Sequence, residues 1–223
     1  YIAVIGGVFA IIVVKMLFGG LGKNFANPAL VGRIVLFLSF SKTMTAWVFP
    51  DAVSSATPLS SEFVGTVDYA QAFLGRIGGS IGEVSKLALL AGAAYLLVRR
   101  VIDWRVPVSY LGTLAVLNLA FGEPVLDSVL LGGTVLGAFF MATDYVTSPV
   151  SKWGKVIMGI GCAVMLFVIR TYNNSYPEGC SFAILFMNVL TPLIDKWTMP
   201  RTFGAVKPVK AKKSEAKQGG AKA

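Results

Sequence analysis

The sequence predicts an all-α membrane protein that crosses the bilayer several times. The 223 residues are 55% hydrophobic and only 14% charged, and their mean hydropathy is +0.71. Soluble domains carry about 25% charged residues, so this chain has too few charges to cover a globular surface. A soluble enzyme and a disordered protein are therefore excluded, and a polytopic membrane protein remains.

Seven apolar stretches approach the length of a transmembrane helix, which needs roughly 20 residues to cross a hydrocarbon core of about 30 Å. They cover approximately residues 1–18, 28–48, 84–100, 107–122, 125–142, 154–171 and 179–195. Several are short and interrupted by glycine, which predicts tilted or discontinuous helices. The predicted transmembrane domain therefore spans residues 1–199, with one long polar connection at about 49–83.

Two of these stretches begin after a segment that contains proline and glycine. Asn27-Pro28 predicts the start of the second helix, and residues 176–180 lead into the last helix from the opposite side. Such a pair is typical of two inverted-topology repeats. Arg33 lies about one turn inside the second helix, where it must snorkel to the interface, pair with a carboxylate or hold an anion.

The distribution of positive charge predicts the orientation. The 20 Lys and Arg residues exceed the 11 Asp and Glu residues, and all but four of them fall on one side of the predicted helices. The four exceptions are Lys42, Arg76, Lys86 and Arg170. The positive-inside rule then places the basic, disordered tail of residues 200–223 in the cytoplasm and the 49–83 loop outside. Because the excess is concentrated in this tail, nucleic acid is not the expected partner.

Histidine is absent, and the chain has two cysteines, Cys162 and Cys180. The absence of imidazole excludes His-based acid–base catalysis, His-ligated haem and most zinc sites. Two thiols cannot by themselves hold an iron–sulfur cluster, which usually needs four. We therefore expect two buried free thiols, with a structural disulfide as the alternative.

The polar loop carries a segment rich in hydroxyl groups, residues 51–59, in which Thr57 precedes Pro58. By itself, this segment is typical of a polar turn. Three further segments accompany it, at residues 19–33, 132–144 and 178–188. The four segments follow one another along the chain in the order found in the family of membrane subunits that contains RnfD and NqrB. The sequence closely resembles this family over nearly all of residues 1–195.

This resemblance implies covalent flavin attachment. In the family, Asp-x-x-Ser/Thr-x-Ala-Thr is the signal for a flavin transferase, which joins FMN through its phosphate to the threonine hydroxyl. The acceptor is then Thr57, and Asp51, Ser54 and Ala56 match the signal. Ser55 stands where the family usually has glycine, and Pro58 resembles the RnfD branch.

The resemblance also implies further candidate cofactor residues. Related proteins hold non-covalent riboflavin, and Thr143 and Asp144 could line a second cofactor or ion site on the inner side. Glu178 is another candidate, at the outer end of the last helix. The plain alternatives are hydrogen bonding at a helix end for Thr143 and Asp144, and a solvated helix end for Glu178.

The expected function is that of an electron-carrying subunit in the cell membrane, within an Rnf-type ferredoxin:NAD oxidoreductase complex that translocates sodium ions or protons. Its expected partners are the other subunits, the flavin transferase and the lipid bilayer. The resemblance further implies transmembrane helices before Tyr1. A cofactor-free solute transporter or channel is the main alternative, and a structural scaffold is a third.

Overall fold

The computed structural model describes residues 1–45, 68–77, 79–80, 82–172 and 179–200. Within these residues all regular secondary structure is helical, as the sequence predicts. In chain order the helices are α1 (Ile2–Val8), which continues as a π-helix (Phe9–Met16), α2 (Pro28–Ser39), α3 (Ser41–Met44), α4 (Tyr69–Leu74), α5 (Lys86–Val98), α6 (Arg105–Phe121), α7 (Val125–Leu130), α8 (Thr134–Leu136), which continues as a π-helix (Gly137–Met141), α9 (Lys152–Tyr172) and α10 (Cys180–Thr198).

The described helices differ in whether they are long enough to cross a bilayer. Each of the seven predicted stretches contains a helix. Among the described helices, however, only α9 is both long and apolar enough to cross on its own, with 21 residues. The apolar helices Ile2–Met16, Pro28–Ser39, Lys86–Val98 and Arg105–Phe121 are shorter. Helix length and hydropathy therefore identify one candidate span among the described helices, and the seven predicted crossings stay a prediction.

The outer surface of the helices is apolar. Large hydrophobic side chains are exposed on α1, α6 and α10, including Val4, Ile12, Val116, Leu119 and Val189. Isolated exposed apolar residues are normal in soluble proteins, but contiguous apolar surface marks contact with a membrane or another protein. The surface thus agrees with the membrane protein that the composition predicts.

The second helix begins where the sequence predicts. The Asn27 side chain caps α2 by accepting a hydrogen bond from the Ala29 backbone N–H at 3.0 Å, and Pro28 occupies the first helical turn. Gly32 lies against α1 so closely that a Cβ at this position would be 2.9 Å from the Gly6 carbonyl oxygen. This close approach packs α1 against α2.

The buried core lies mainly between α6, α9 and α10. Among its fully buried side chains are Tyr110, Leu114, Met158, Leu166 and Ile184. Gly159 lets α9 approach α6, because a Cβ there would lie 2.8 Å from the Val106 carbonyl oxygen and would overlap the Ser109 hydroxyl. The α6–α9 contact therefore requires a residue without a side chain at this position.

The fifth predicted stretch is discontinuous, as its glycines predict. Helix α7 ends at Leu130, and α8 begins only at Thr134. Between them, Gly132 has a φ of 64°, a left-handed conformation that glycine adopts without steric cost. The backbone therefore breaks inside an apolar part of the chain, where its polar groups need partners from the protein.

Both cysteines are buried free thiols, so the prediction is confirmed and the disulfide alternative is wrong. Cys162 lies in α9, and Cys180 is the first residue of α10. The Tyr110 hydroxyl lies 3.4 Å from the Cys180 sulfur. This contact links α6 to the start of α10.

An ion-pair cluster ties α9 to the connection between α5 and α6. The Asp103 carboxylate accepts hydrogen bonds from the Arg105 guanidinium at 3.0 Å and from the Lys155 ammonium at 3.1 Å. Partial burial alone would raise the pKa of Asp103. The Arg105 backbone N–H and the two cations outweigh that effect and lower the pKa. The folded state therefore favours the ionised carboxylate.

The α6–α9 contact predicts that Gly159→Ala destabilises the protein. The added methyl group must displace the α6 backbone or the Ser109 side chain, at a cost of about 1–3 kcal/mol. Unfolding of the purified protein in detergent measures the loss. Gly112→Ala is the matched control on α6, because a Cβ at Gly112 would meet no atom within 4 Å. Equal stability of the two variants would contradict the proposed contact.

The Asp103 ion pairs predict an acid-dependent loss of stability. Because the folded-state pKa is lowered, the stabilisation is complete above the ordinary value of 3.8 and is lost as the pH falls through the folded pKa. Asp103→Asn should therefore lower the unfolding free energy by about 1 kcal/mol at neutral pH and by less in acid. Thermal unfolding at several pH values checks this. Lys152→Met, which changes an exposed lysine on the first turn of α9, should show no comparable effect.

Candidate functional site

The break between α7 and α8 is held by a buried lysine. Lys86, the first residue of α5, is only 1% exposed. Its ammonium group donates a hydrogen bond to the Gly132 carbonyl oxygen at 2.8 Å and another to the Glu83 carbonyl oxygen. Ser85 caps α5 through the Ala88 backbone N–H, which fixes where the helix starts. The lysine therefore provides one of the donors that the broken backbone requires.

A second cation, Arg170, binds the same break from α9. Its guanidinium donates hydrogen bonds to the Ser128 carbonyl oxygen at 2.6 Å, to the Leu131 carbonyl oxygen at 3.3 Å and to the Thr134 hydroxyl at 2.9 Å. These acceptors lie at the end of α7 and the start of α8. A cation at the carboxyl end of a helix also interacts favourably with the helix dipole.

A buried carboxylate lies beside these cations. Glu83 is 2% exposed, and its Oε2 lies 3.6 Å from the Arg33 guanidinium of α2. The same guanidinium donates to the Ser80 hydroxyl at 3.4 Å. Gly133 leaves room for the carboxylate, since a Cβ at this position would lie 2.6 Å from Oε2. Of the two adjacent glycines, Gly132 thus allows the left-handed turn and Gly133 allows Glu83 to pack against the backbone.

The four residues Arg33, Glu83, Lys86 and Arg170 are called the break cluster below. They bring three cations and one carboxylate together from α2, the segment before α5, α5 and α9. Ionisable residues inside a membrane bundle are costly and usually mark functional sites. Counted over the described residues, the cations of the break cluster outnumber its carboxylates. Such an arrangement favours negative charge nearby, because Coulomb interactions are strong at low dielectric constant.

Sequence reasoning did not bring the members of this cluster together. The charge count placed Lys86 on the outer side, and the structure shows that it is buried. Arg33 was counted on the inner side, but its side chain contacts Ser80 and Glu83 of the predicted outer connection. Of the three alternatives left open for Arg33, the structure shows the pairing with a carboxylate. Glu83 was missed, and the Gly132-Gly133 pair in an apolar stretch was the only signal that donors would be needed nearby.

Most of the predicted flavin residues lie outside the described part of the chain. These residues are Asp51, Ser54, Ser55, Ala56, Thr57 and Glu178. Of the described candidates, Thr143 donates to the Phe139 carbonyl oxygen at 2.7 Å, and Asp144 accepts from the Thr147 hydroxyl at 2.9 Å. Both therefore make the local hydrogen bonds that the plain alternative predicts.

Thr143 also lines a cavity of about 500 Å³ where the α5–α6 connection meets the segment before α9. Its other lining residues include Arg100, Asp103, Trp104, Tyr145 and Lys155. Pockets for small molecules have about this volume. Asp144 does not line the cavity, so Thr143 and Asp144 do not contribute to this cavity together. A non-covalent riboflavin on the inner side stays a prediction.

The contacts of Lys86 predict that Lys86→Met destabilises the protein. Methionine fills a similar volume but leaves the carbonyl oxygens of Gly132 and Glu83 without this donor, at a cost of about 2–3 kcal/mol. Unfolding in detergent measures the change. Lys42→Met, at an exposed position on α3, is the matched control and should leave stability unchanged. A Lys86→Met variant as stable as the control would show that the break does not depend on this ammonium group.

Comparison with known proteins gives consistent matches over most of the chain. The family model described as NQR2, RnfD, RnfE matches residues 1–204. The chain is 45% identical to the D subunit of the Na(+)-translocating ferredoxin:NAD(+) oxidoreductase complex of Acetobacterium woodii, over 96% of this chain and 70% of that protein. It is 41% identical to the D subunit of the proton-translocating ferredoxin:NAD(+) oxidoreductase complex of Clostridium ljungdahlii, over 92% and 69%.

A third relative is the D subunit of the ion-translocating oxidoreductase complex of Halorhodospira halophila, with 39% identity over 92% of this chain and 70% of the relative. All three relatives carry the name of the same subunit, and the family match covers the described helices. The resemblance found in the sequence motifs is therefore confirmed. The chain belongs to the NQR2, RnfD, RnfE family.

Proposed function

We propose that this chain is a flavin-bearing, electron-carrying membrane subunit of an Rnf-type ion-translocating oxidoreductase complex, with FMN joined to Thr57. The observation that carries this proposal is the Asp51–Thr57 motif in a member of this family. The relatives are named as subunits of ferredoxin:NAD(+) oxidoreductase complexes. One relative is named for sodium ions and another for protons, so the proposal includes either ion.

In the proposed topology, the seven apolar stretches cross the membrane, as two inverted repeats with discontinuous helices. The apolar outer surface of α1, α6 and α10 supports contact with lipid. The break between α7 and α8 supports discontinuous helices, which are common around binding sites in membrane proteins. By the distribution of basic residues, the 49–83 loop faces outward and the tail is cytoplasmic.

Attachment of the flavin requires little chemistry from this chain. The Thr57 oxygen forms an ester with the FMN phosphate and loses its proton, while the transferase supplies the activated flavin donor and its leaving group. Asp51, Ser54, Ser55 and Ala56 form the recognition segment for that enzyme. The attached FMN would supply one-electron and two-electron redox chemistry, and the protein would supply position and electrostatics.

The described chain connects this loop to the break cluster. Asp68 caps α4 by accepting from the Ala70 backbone N–H at 2.9 Å, and α4 ends at Gly75 in a left-handed conformation. The next residues lead to Glu83 and Lys86. Thr57 lies 11 residues before Asp68 in the sequence. The two residues are therefore at most about 40 Å apart, which is the length of a fully extended chain of 11 residues. The excess positive charge of the cluster would favour a reduced, more negative carrier nearby.

Mass spectrometry of the peptide that contains Thr57 tests the proposal. The complex is purified from cells that also supply the flavin transferase, and the peptide should carry the added mass of FMN. Thr57→Val should abolish this mass and the flavin fluorescence of the chain in a denaturing gel, because valine has no hydroxyl group.

Thr66→Val is the matched control in the same loop and should retain the flavin. An unmodified Thr57 peptide in an active complex would contradict the proposal, as would equal fluorescence in the Thr57→Val chain. A purified chain without any flavin would favour the cofactor-free transporter or channel instead.

A further inference from the structure

The cavity at the α5–α6 connection has more basic than acidic residues in its lining. Its volume is about 500 Å³, and its charged lining residues are Arg100, Asp103, Arg105 and Lys155. Three of these four residues are cations. Much of the remaining lining is apolar, with Leu97 as one example. The cavity therefore suits a ligand that joins an anionic group to an apolar part.

The single carboxylate in the lining is already neutralised by two of the cations. Asp103 accepts hydrogen bonds from the Arg105 backbone N–H at 3.0 Å, from the Arg105 guanidinium at 3.0 Å and from the Lys155 ammonium at 3.1 Å. These bonds use one of the two terminal nitrogens of Arg105 and one of the three N–H groups of Lys155. The other donors of both side chains have no acceptor within the described part of the chain. Asp103 thus positions the two cations and leaves donors for a ligand.

Arg100, the third cation, occupies a position where helices usually have glycine. Its backbone N–H donates to the Leu97 carbonyl oxygen at 3.0 Å, and the Val101 N–H donates to the Leu96 carbonyl oxygen at 2.9 Å. This pair of bonds forms a Schellman motif at the end of α5. The φ of Arg100 is 54°, a left-handed conformation that is unfavourable for a residue with a Cβ. Among the described residues its guanidinium has no hydrogen-bond or ion-pair partner, so its charge is available to a ligand.

Exposed aromatic residues around the cavity are typical of a membrane interface. Trp104 and Tyr145 line the cavity, and Trp153 lies on the first turn of α9. All three side chains are exposed, and Trp and Tyr are enriched where a membrane meets water. One turn farther along α6 and α9, Val108 and Ile157 are exposed and apolar. The polar cavity thus lies next to apolar surface on which acyl chains can lie.

A phospholipid matches these features better than a soluble phosphate does. A soluble phosphate would use the cations but neither the apolar lining nor the neighbouring apolar surface. The distribution of basic residues predicts that this end of the helices faces the cytoplasm. Basic pockets between transmembrane helices on that side bind anionic headgroups.

We propose that this cavity binds the headgroup of an anionic phospholipid, with its phosphate held by Arg100, Arg105 and Lys155. The acyl chains lie along the exposed apolar side chains of α6 and α9. Binding is non-covalent, and neither protons nor electrons are transferred. The bound lipid joins the α5–α6 connection to the start of α9. This inference does not depend on a flavin at Thr57.

Photocrosslinking of the purified complex tests the inference. The probe is a phosphatidylglycerol that carries a diazirine on its acyl chain, close to the headgroup. The labelled peptides should come from residues 97–106 and 143–155, which contain the lining residues. Unlabelled dioleoyl phosphatidylglycerol should compete with the probe, whereas dioleoyl phosphatidylcholine should not, because its headgroup has no net charge.

Substitution of Arg100 should weaken this labelling without unfolding the protein. In Arg100→Gln, the probe concentration for half-maximal labelling should rise about tenfold, as expected for the loss of one charge-assisted hydrogen bond. Arg99→Gln is the matched control, since Arg99 is exposed and does not line the cavity. It should label like the wild type.

Arg100→Gly separates lost binding from lost folding. Glycine adopts the left-handed conformation without steric cost, so this variant should unfold at the same or a higher temperature than the wild type. It should nevertheless label as weakly as Arg100→Gln. A role of Arg100 in folding alone would instead leave the labelling unchanged.

Several results would overturn the inference. Labelling that is absent from these two peptides, equal in wild type and Arg100→Gln, or competed equally by phosphatidylcholine would contradict an anionic headgroup site. Full displacement of the probe by inorganic phosphate at constant ionic strength would identify a site for a soluble phosphate instead. Displacement by riboflavin would assign the cavity to the non-covalent flavin. None of these results depends on the Thr57 peptide, so this inference and the flavin proposal can fail separately.

Discussion

The central physical constraint is that a broken helix in an apolar bundle must find partners for its backbone polar groups. Between Leu130 and Thr134 the helical hydrogen bonds are interrupted, and the buried backbone groups there need partners from the rest of the protein. Lys86 and Arg170 donate to carbonyl oxygens at the break, as does the Thr134 hydroxyl. Their charges in turn favour a buried carboxylate nearby. A single break in the backbone therefore leads to the whole break cluster.

The surrounding helices hold these cations in position. Gly159 lets α9 pack closely on α6, and α9 carries Arg170 to the end of α7. The N-cap at Ser85 starts α5 so that Lys86 reaches the same backbone. On the other side, Arg33 joins α2 to Glu83. In the proposed function, the outer loop rejoins the described helices at this cluster.

Composition and local patterns were sufficient to predict the helical class, the start of α2 and the free thiols. Those features depend on residues close in sequence, such as the capping of α2 by Asn27. The break cluster could not be predicted in the same way, since Lys86 meets Gly132 from 46 residues away. A lysine at a helix start looks the same in sequence whether it faces lipid headgroups or the core. The Thr57 motif was recognised only through family resemblance, because a hydroxyl group in a turn has no distinctive pattern.

Amide hydrogen exchange across residues 125–141 tests most directly whether the cations hold the broken helix together. In the wild-type protein, the amides of Leu131 and Gly137, which donate to the Asp127 and Gly133 carbonyl oxygens, should exchange far more slowly than those of the exposed turn at residues 19–23. In Arg170→Met, faster exchange should be confined to residues 128–137, because the carbonyl groups that fix the break lose a donor, while α2 and α6 stay protected. Rapid exchange at the break in the wild type, or an unchanged profile in the variant, would contradict this role of the buried cations.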